Sequence, residues 1–107
     1  MAEAGWTRVA SVSEVAEGHV HAVRVGDREI ALYHLPGGEY HATDNICTHE
    51  YAQLSDGWLE NGCIECPLHQ GKFDLQTGEP KAPPVTEPVR VYPVKTEGGK
   101  VFVDLGD

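Results

Sequence analysis

At 107 residues the chain has room for one modest core and none for a separate catalytic domain of ordinary size. Hydrophobic residues at 40% and charged residues at 23% are globular usage, which argues against disorder, and no apolar run approaches the roughly 18 residues that cross a bilayer. A net charge of −9, from 17 acidic and 8 basic side chains, argues against nucleic acid and anionic lipid as partners and favours a partner with a basic patch, held less tightly as salt rises.

The first residues, Met1 to Gly5, carry an acid and lack the basic start and apolar stretch of a signal peptide, so a cytoplasmic protein is expected. A short helix is expected over Glu14 to Glu17, with Ser13 as N-cap and Gly18 as its stop; a turn is the alternative there. Val20 to Val25 and Arg28 to Leu35 flank Gly26-Asp27, a two-residue hairpin signal. Pro36-Gly37-Gly38 makes a second turn, after which Tyr40-His41-Ala42 continues as a strand. From Asn45 to about Pro88 the alternation breaks down into Gly, Pro, Cys and His, which reads as loops on a β scaffold. Val91 to Thr96 and Val101 to Leu105 form a third hairpin around Gly98-Gly99, with Val101, Val103 and Leu105 on one face. The expected fold is all-β, a sandwich or small barrel of short strands in a single domain, 1–107.

The cysteines are Cys47, Cys63 and Cys66, an odd number that argues against a disulfide framework and for metal or redox chemistry. Cys47-Thr48-His49 and Cys66-Pro67-Leu68-His69 give the pattern C-x-H-x16-C-x2-H. C2H2 zinc fingers pair cysteine with cysteine and histidine with histidine, whereas each arm here is mixed. Mixed arms suit a two-iron cluster with both thiolates on one iron and both imidazoles on the other. A structural zinc module is the competing reading, and it predicts a colourless protein rather than a red-brown one.

These two motifs resemble the cluster-binding loops of Rieske proteins, in which two histidines replace two cysteines on one iron. The run Gly62-Cys63-Ile64-Glu65-Cys66-Pro67-Leu68-His69-Gln70-Gly71-Lys72-Phe73-Asp74 is similar to the ferredoxins of bacterial multicomponent ring-hydroxylating dioxygenases. The resemblance implies a small Rieske-type β-sandwich with a cluster-binding subdomain of two loops, within 45–88, and one [2Fe–2S] cluster per chain. It implies Cys47 and Cys66 on the inner iron, His49 and His69 on the outer iron, and Ala82-Pro83-Pro84 as a covering loop. It further implies a monomeric one-electron carrier, not an enzyme. Such a carrier takes electrons from an NAD(P)H-dependent flavoprotein ferredoxin reductase and delivers them to a terminal Rieske non-haem iron oxygenase acting on aromatic compounds. A small Rieske subunit of an assimilatory nitrite reductase is the alternative. A terminal oxygenase itself needs two further histidines in a large second domain, and no histidine follows His69.

Two neutral imidazoles in place of two thiolates leave the oxidised site with no net charge, so adding an electron is easier than in an all-thiolate cluster. High-potential relatives add a cysteine to each loop and two hydroxyl donors to the sulfurs. Here Ala52 or its neighbourhood and Leu68 stand in place of those cysteines, and Gly71 and Phe73 in place of the hydroxyl residues. The expected potential is therefore low, roughly −150 mV. The outer edges of His49 and His69 are the expected electron exit. Cys63 is expected as a buried apolar strand residue, and His19, His21, His34 and His41 as ordinary strand residues. Trp6, Trp58 and Phe73 are expected to pack in the core or under loops, and Gly57, Gly62 and Gly71 to serve turns with unusual backbone angles.

Overall fold

The computed structural model describes residues 6–47, 52–60, 62–67, 71–82 and 87–105. Gly26-Asp27 joins β2 (His19–Val25) to β3 (Arg28–His34), paired without a slip from His19 opposite His34 to Val25 opposite Arg28. Gly26 sits at φ +61°, the left-handed conformation such a turn requires. The Pro36-Gly37-Gly38 turn returns the chain into β4 (Tyr40–Asp44), antiparallel to β3. Both hairpins fall where the turn dipeptides place them.

The third hairpin is more divided than expected. Proline has no N–H for a ladder, and at Pro93 the expected strand splits in two. The first piece, β9 (Val91–Tyr92), pairs with β4, and the second, β10 (Val94–Glu97), pairs with β11 (Lys100–Asp104). With β1 (Trp6–Ser11) this gives two sheets, ordered β1-β11-β10 and β2-β3-β4-β9. The expected helix over Glu14 to Glu17 is instead a single 3-10 turn, Val12–Glu14, capped two residues earlier at Ser11, whose N–H donates to Glu14 Oε1 at 2.6 Å. The turn ends at Val15, its C-cap, and not at Gly18, which at φ +85° lies in the turn just before β2.

Between these two sheets lies one core, built from Ala10, Val15, Ile30, Leu32, Ala42, Tyr92, Val101, Val103 and Leu105. Arg28 Nη1 and Arg90 Nη2 donate to Leu105 O at 3.0 and 2.8 Å, which ties the end of the chain to this sandwich. On β3, Ile30 and Leu32 face that core while Ala31 and Tyr33 face a second one, so the strand is buried on both sides. Its unbroken run Ile30-Ala31-Leu32-Tyr33 is what a strand covered on both faces needs.

A third sheet completes the second core. Its strands are β5 (Trp58–Glu60), β6 (Cys63–Glu65), β7 (Lys72–Asp74) and β8 (Pro80–Ala82), in that order and all antiparallel. The segment expected to be loops thus also carries a sheet of four three-residue strands. Three-residue strands are too short to show an alternation in sequence. Leu59, Ile64 and Phe73 line up across it and point inward, with Ile64 and Phe73 fully buried. Among the described residues no helix is long and apolar enough to cross a membrane.

Candidate metal centre

Each cysteine of the two mixed motifs ends a strand pair and starts a loop. In the first, Asn45 N donates to Glu29 O at 2.9 Å and Asn45 O accepts from Leu54 N at 2.6 Å. Asn45 Oδ1 accepts from Ser55 N at 2.8 Å, Ile46 bridges Gln53, and Cys47 N donates to Ala52 O at 2.9 Å. In the second, β6 leads into Cys66, whose N–H donates to Gly71 O at 2.8 Å, and Lys72 at once begins β7. Both loops are thus closed by the same bond, from the cysteine N–H to the carbonyl five residues ahead. His49 and His69 belong in sequence to the interior of these two loops and lie outside the described residues, as do Leu68, Pro83 and Pro84.

Cys47 and Cys66 are buried, at 4% and 0% exposure, and share the second core with Ala31, Tyr33, Leu54, Ile64, Phe73 and Leu75. Burying anionic sulfur among such groups is unfavourable unless a cationic core binds it, so the donor set and its setting fit a metal cluster of soft ligands. Asn45 supplies a second sign of fit. Its Nδ2 is fully buried with no hydrogen-bond partner among the described residues, a spare donor at the root of the first loop. Tyr33 does not add one: its hydroxyl is shared with Thr43 Oγ1 at 2.8 Å, and burial drives its phenol pKa far up.

Elsewhere the structure sorts the expected residues differently. Cys63 is half-buried rather than a core residue: it lies on the outer side of β6, opposite Ile64, between Glu60 and Asp74 of the neighbouring strands. Desolvation first, then the Asp74 charge, raises its thiol pKa, so the thiolate is disfavoured. Phe73 packs as expected, but Trp58 is 57% exposed, since its pairing with Glu65 turns it outward. Gly62 has the expected left-handed backbone at φ +78°. Gly57 does not, with φ −89°; it is required because a Cβ there would lie 1.9 Å from Glu65 O. Of the histidines, His19 and His21 are exposed, and His34 stacks on Tyr40 with its Nδ1 2.8 Å from Val15 O. His41 pairs with Glu39 at 3.2 Å. Sequence reasoning missed Asn45 and the outward Trp58, because neither carries a ligand-like spacing.

The Rieske [2Fe–2S] domain family matches residues 5–93. The chain belongs to that family. The ferredoxin component of a naphthalene 1,2-dioxygenase system from Pseudomonas aeruginosa is 50% identical over 100 residues, covering 94% of this chain and 95% of the relative. Among solved structures, the Sphingomonas yanoikuyae B1 ferredoxin superposes with a TM-score of 0.86 at 41% identity, covering 92% of this chain and 96% of that one. A complex of reduced oxygenase and oxidised ferredoxin in carbazole 1,9a-dioxygenase contains a chain with a TM-score of 0.86 at 38% identity, covering 95% of this chain and 94% of that one. This Rieske protein accordingly holds a [2Fe–2S] cluster and is an electron-transfer ferredoxin, not a catalyst. The relatives are named as dioxygenase ferredoxins, which supports the carrier reading over a nitrite reductase subunit.

Proposed function

We propose that this ferredoxin passes single electrons from an NAD(P)H-dependent flavoprotein reductase to a terminal Rieske non-haem iron oxygenase that hydroxylates aromatic compounds. It works as a cytoplasmic monomer, with residues 1–107 as one Rieske domain. Cys47 and Cys66 hold one iron, and His49 and His69 the other. The observation that carries this is the pair of loops closed by matching bonds, Cys47 N to Ala52 O and Cys66 N to Gly71 O, each containing one thiol and one imidazole in sequence. When bound, the [2Fe–2S] group supplies one-electron redox chemistry. The chain's own residues fix the two sulfurs at strand ends and keep water from them with Ile64, Phe73 and Leu75.

The deciding experiment is EPR of the reduced, purified protein. A mixed imidazole–thiolate spectrum is expected from the native chain, and His69→Cys should shift it toward an all-thiolate signal. A native spectrum that His69→Cys leaves unchanged removes His69 from the ligand set. Electron delivery is tested separately, by mixing the reduced protein with an oxygenase and following reoxidation.

A further inference from the structure

Asn45 is fully buried, and the fold accounts for only half of its side chain. Oδ1 accepts from Ser55 N at 2.8 Å and so fastens the first loop to the 3-10 turn Leu54–Asp56. That task needs an acceptor oxygen alone. The other half, Nδ2, has no hydrogen-bond partner, and among the described residues it is the one buried side-chain nitrogen or oxygen in that state. Burying an amide donor without an acceptor is costly, and folded proteins seldom do so without a functional reason.

Alternation along the chain shows which way this donor faces. Ala42 belongs to the core between the first two sheets, whereas Thr43 pairs with Ala31 of the second core and meets the Tyr33 hydroxyl at 2.8 Å. Cys47 lies in that second core too. Asn45 falls midway between Thr43 and Cys47 on ladder backbone, since Asn45 N bonds Glu29 O and Ile46 bridges Gln53. Side chains two apart on such backbone share a face, so Asn45 looks into the second core, about 7 Å from Cys47 between Cα atoms. Ser55 follows Leu54, on the side away from Ala52 and Cys47, and draws Oδ1 that way. Nδ2 is left as the branch of the amide on the cysteine side.

We propose that Asn45 Nδ2 donates a hydrogen bond to a sulfur of the [2Fe–2S] group and thereby raises its reduction potential. This rests on the ligand set proposed above, with Cys47 on that group. The sign follows from charge. The reduced group carries one more negative charge than the oxidised one, so an N–H directed at its sulfur stabilises the reduced form more. Screening is weak in a buried setting, where a single neutral donor has a measurable effect. Two neighbours in the second core cannot take the role: the Tyr33 hydroxyl is engaged by Thr43, and Phe73 has no donor to offer. The amide thus serves both ends of the problem, with its oxygen holding the loop and its nitrogen adjusting the group that the loop binds.

The test uses the holoprotein labelled with ¹⁵N at the side-chain amide of asparagine, of which the chain has only Asn45 and Asn61. Pulsed EPR of the reduced protein should show a ¹⁵N coupling in the native chain that Asn45→Ala abolishes. Asn61→Ser should keep it, which assigns the coupling even if Asn45→Ala fails to hold the group. By voltammetry Asn45→Ala should be harder to reduce, by about tenfold in the equilibrium constant, or about 59 mV for a one-electron couple. A native protein with the mixed imidazole–thiolate spectrum but no ¹⁵N coupling overturns the role of Nδ2 and leaves the ligand set standing. An Asn45→Ala protein reduced within twofold of native does the same, since it confines Asn45 to holding Ser55. An all-thiolate spectrum from the native chain overturns the ligand set itself, and the role of Nδ2 with it.

Discussion

Gly57→Ala places a methyl group just before β5, against the backbone of Glu65 in β6. Its Cβ would fall 1.9 Å from Glu65 O, 3.1 Å from Glu65 C and 3.2 Å from Leu54 O, all of them backbone atoms that no rotamer change can move aside. Side-chain carbons do not approach within 3.0 Å, so β5 has to withdraw from β6 by more than about 1 Å. Overpacking of this kind costs roughly 1–3 kcal/mol, and loosening the adjoining ladder about 1 kcal/mol more. At about 4–8 °C per kcal/mol for a domain of this size, the expected fall in melting temperature is at least about 8 °C. Because Glu65 directly precedes Cys66, the displacement also reaches the second loop, so cluster loss should accelerate with it. The assay is a thermal scan at fixed rate, following the cluster's visible absorbance and far-UV circular dichroism on one sample. Gly98→Ala is the control. It too is strained, at φ +59°, but nothing lies within 4 Å of its Cβ, so about 1–2 kcal/mol of stability should go with no selective loss of cluster. A Gly57→Ala protein that melts within about 2 °C of native and keeps its cluster as long would refute the reasoning.

Asn45→Ala removes the acceptor of Ser55 N and should cost about 1–3 kcal/mol in guanidinium denaturation, with faster cluster loss; an unchanged midpoint would show that Oδ1 does not hold the first loop. Tyr92 donates to Asp44 Oδ1 at 2.5 Å, and its pKa is pushed up to about 12, by burial first and then by the Asp44 carboxylate. The folded state therefore favours the neutral phenol: its contribution is complete below the ordinary value of 10.0 and is lost as pH rises from there through about 12. Denaturation midpoints should decline over that window, and less so in Tyr92→Phe; an equal decline in both would assign it elsewhere. The reduction potential, by voltammetry, should lie near about −150 mV, since Phe73 is fully buried where a hydroxyl would stand and the Tyr33 hydroxyl is already engaged by Thr43; a positive value contradicts this.

The ends of the chain were legible because their signals are local. Gly26-Asp27 and Gly98-Gly99 need backbone angles that few residues adopt, and the strands beside them show either an unbroken apolar run, Ile30 to Tyr33, or an alternation, Val101, Val103 and Leu105. The family was legible for a different reason: C-x-H and C-x2-H are a rare pairing of thiol with imidazole, and the Rieske [2Fe–2S] domain family that they resemble matches residues 5–93. What stayed hidden lies between. A three-residue strand such as Cys63–Glu65 has one inward residue, so nothing repeats, and its place follows only from contact with Lys72–Asp74. The same holds for Gly57, whose need to be glycine comes from Glu65 across the sheet and not from its own φ. Cys63 and Trp58 were misplaced because the face of a short strand is set by its partner's register. Pro93 divides two sheets for a tertiary reason, since a proline at that point in sequence is equally compatible with a bend in a single edge strand.

A carrier must change its charge at every encounter without changing its shape, and the way the two loops are rooted suits that demand. Neither cysteine depends on its loop for position. Cys47 is placed by the Asn45–Leu54 and Cys47–Ala52 bonds, and Cys66 by β6 and its bond to Gly71, so both sulfurs are referred to ladders. Those ladders meet through one layer of side chains, Ile64 and Phe73 from the third sheet against Ala31 and Tyr33 of β3, all with no solvent exposure. Close-packed interiors resist displacement, and β3 is itself held from behind by Ile30 and Leu32 in the other core. A shift of one sulfur relative to the other would therefore have to move strands clamped on both faces. With Cys47 and Cys66 as the proposed ligands, adding or removing an electron would alter the field at the sulfurs but meet a scaffold with little freedom to follow, which keeps the rearrangement accompanying each transfer small.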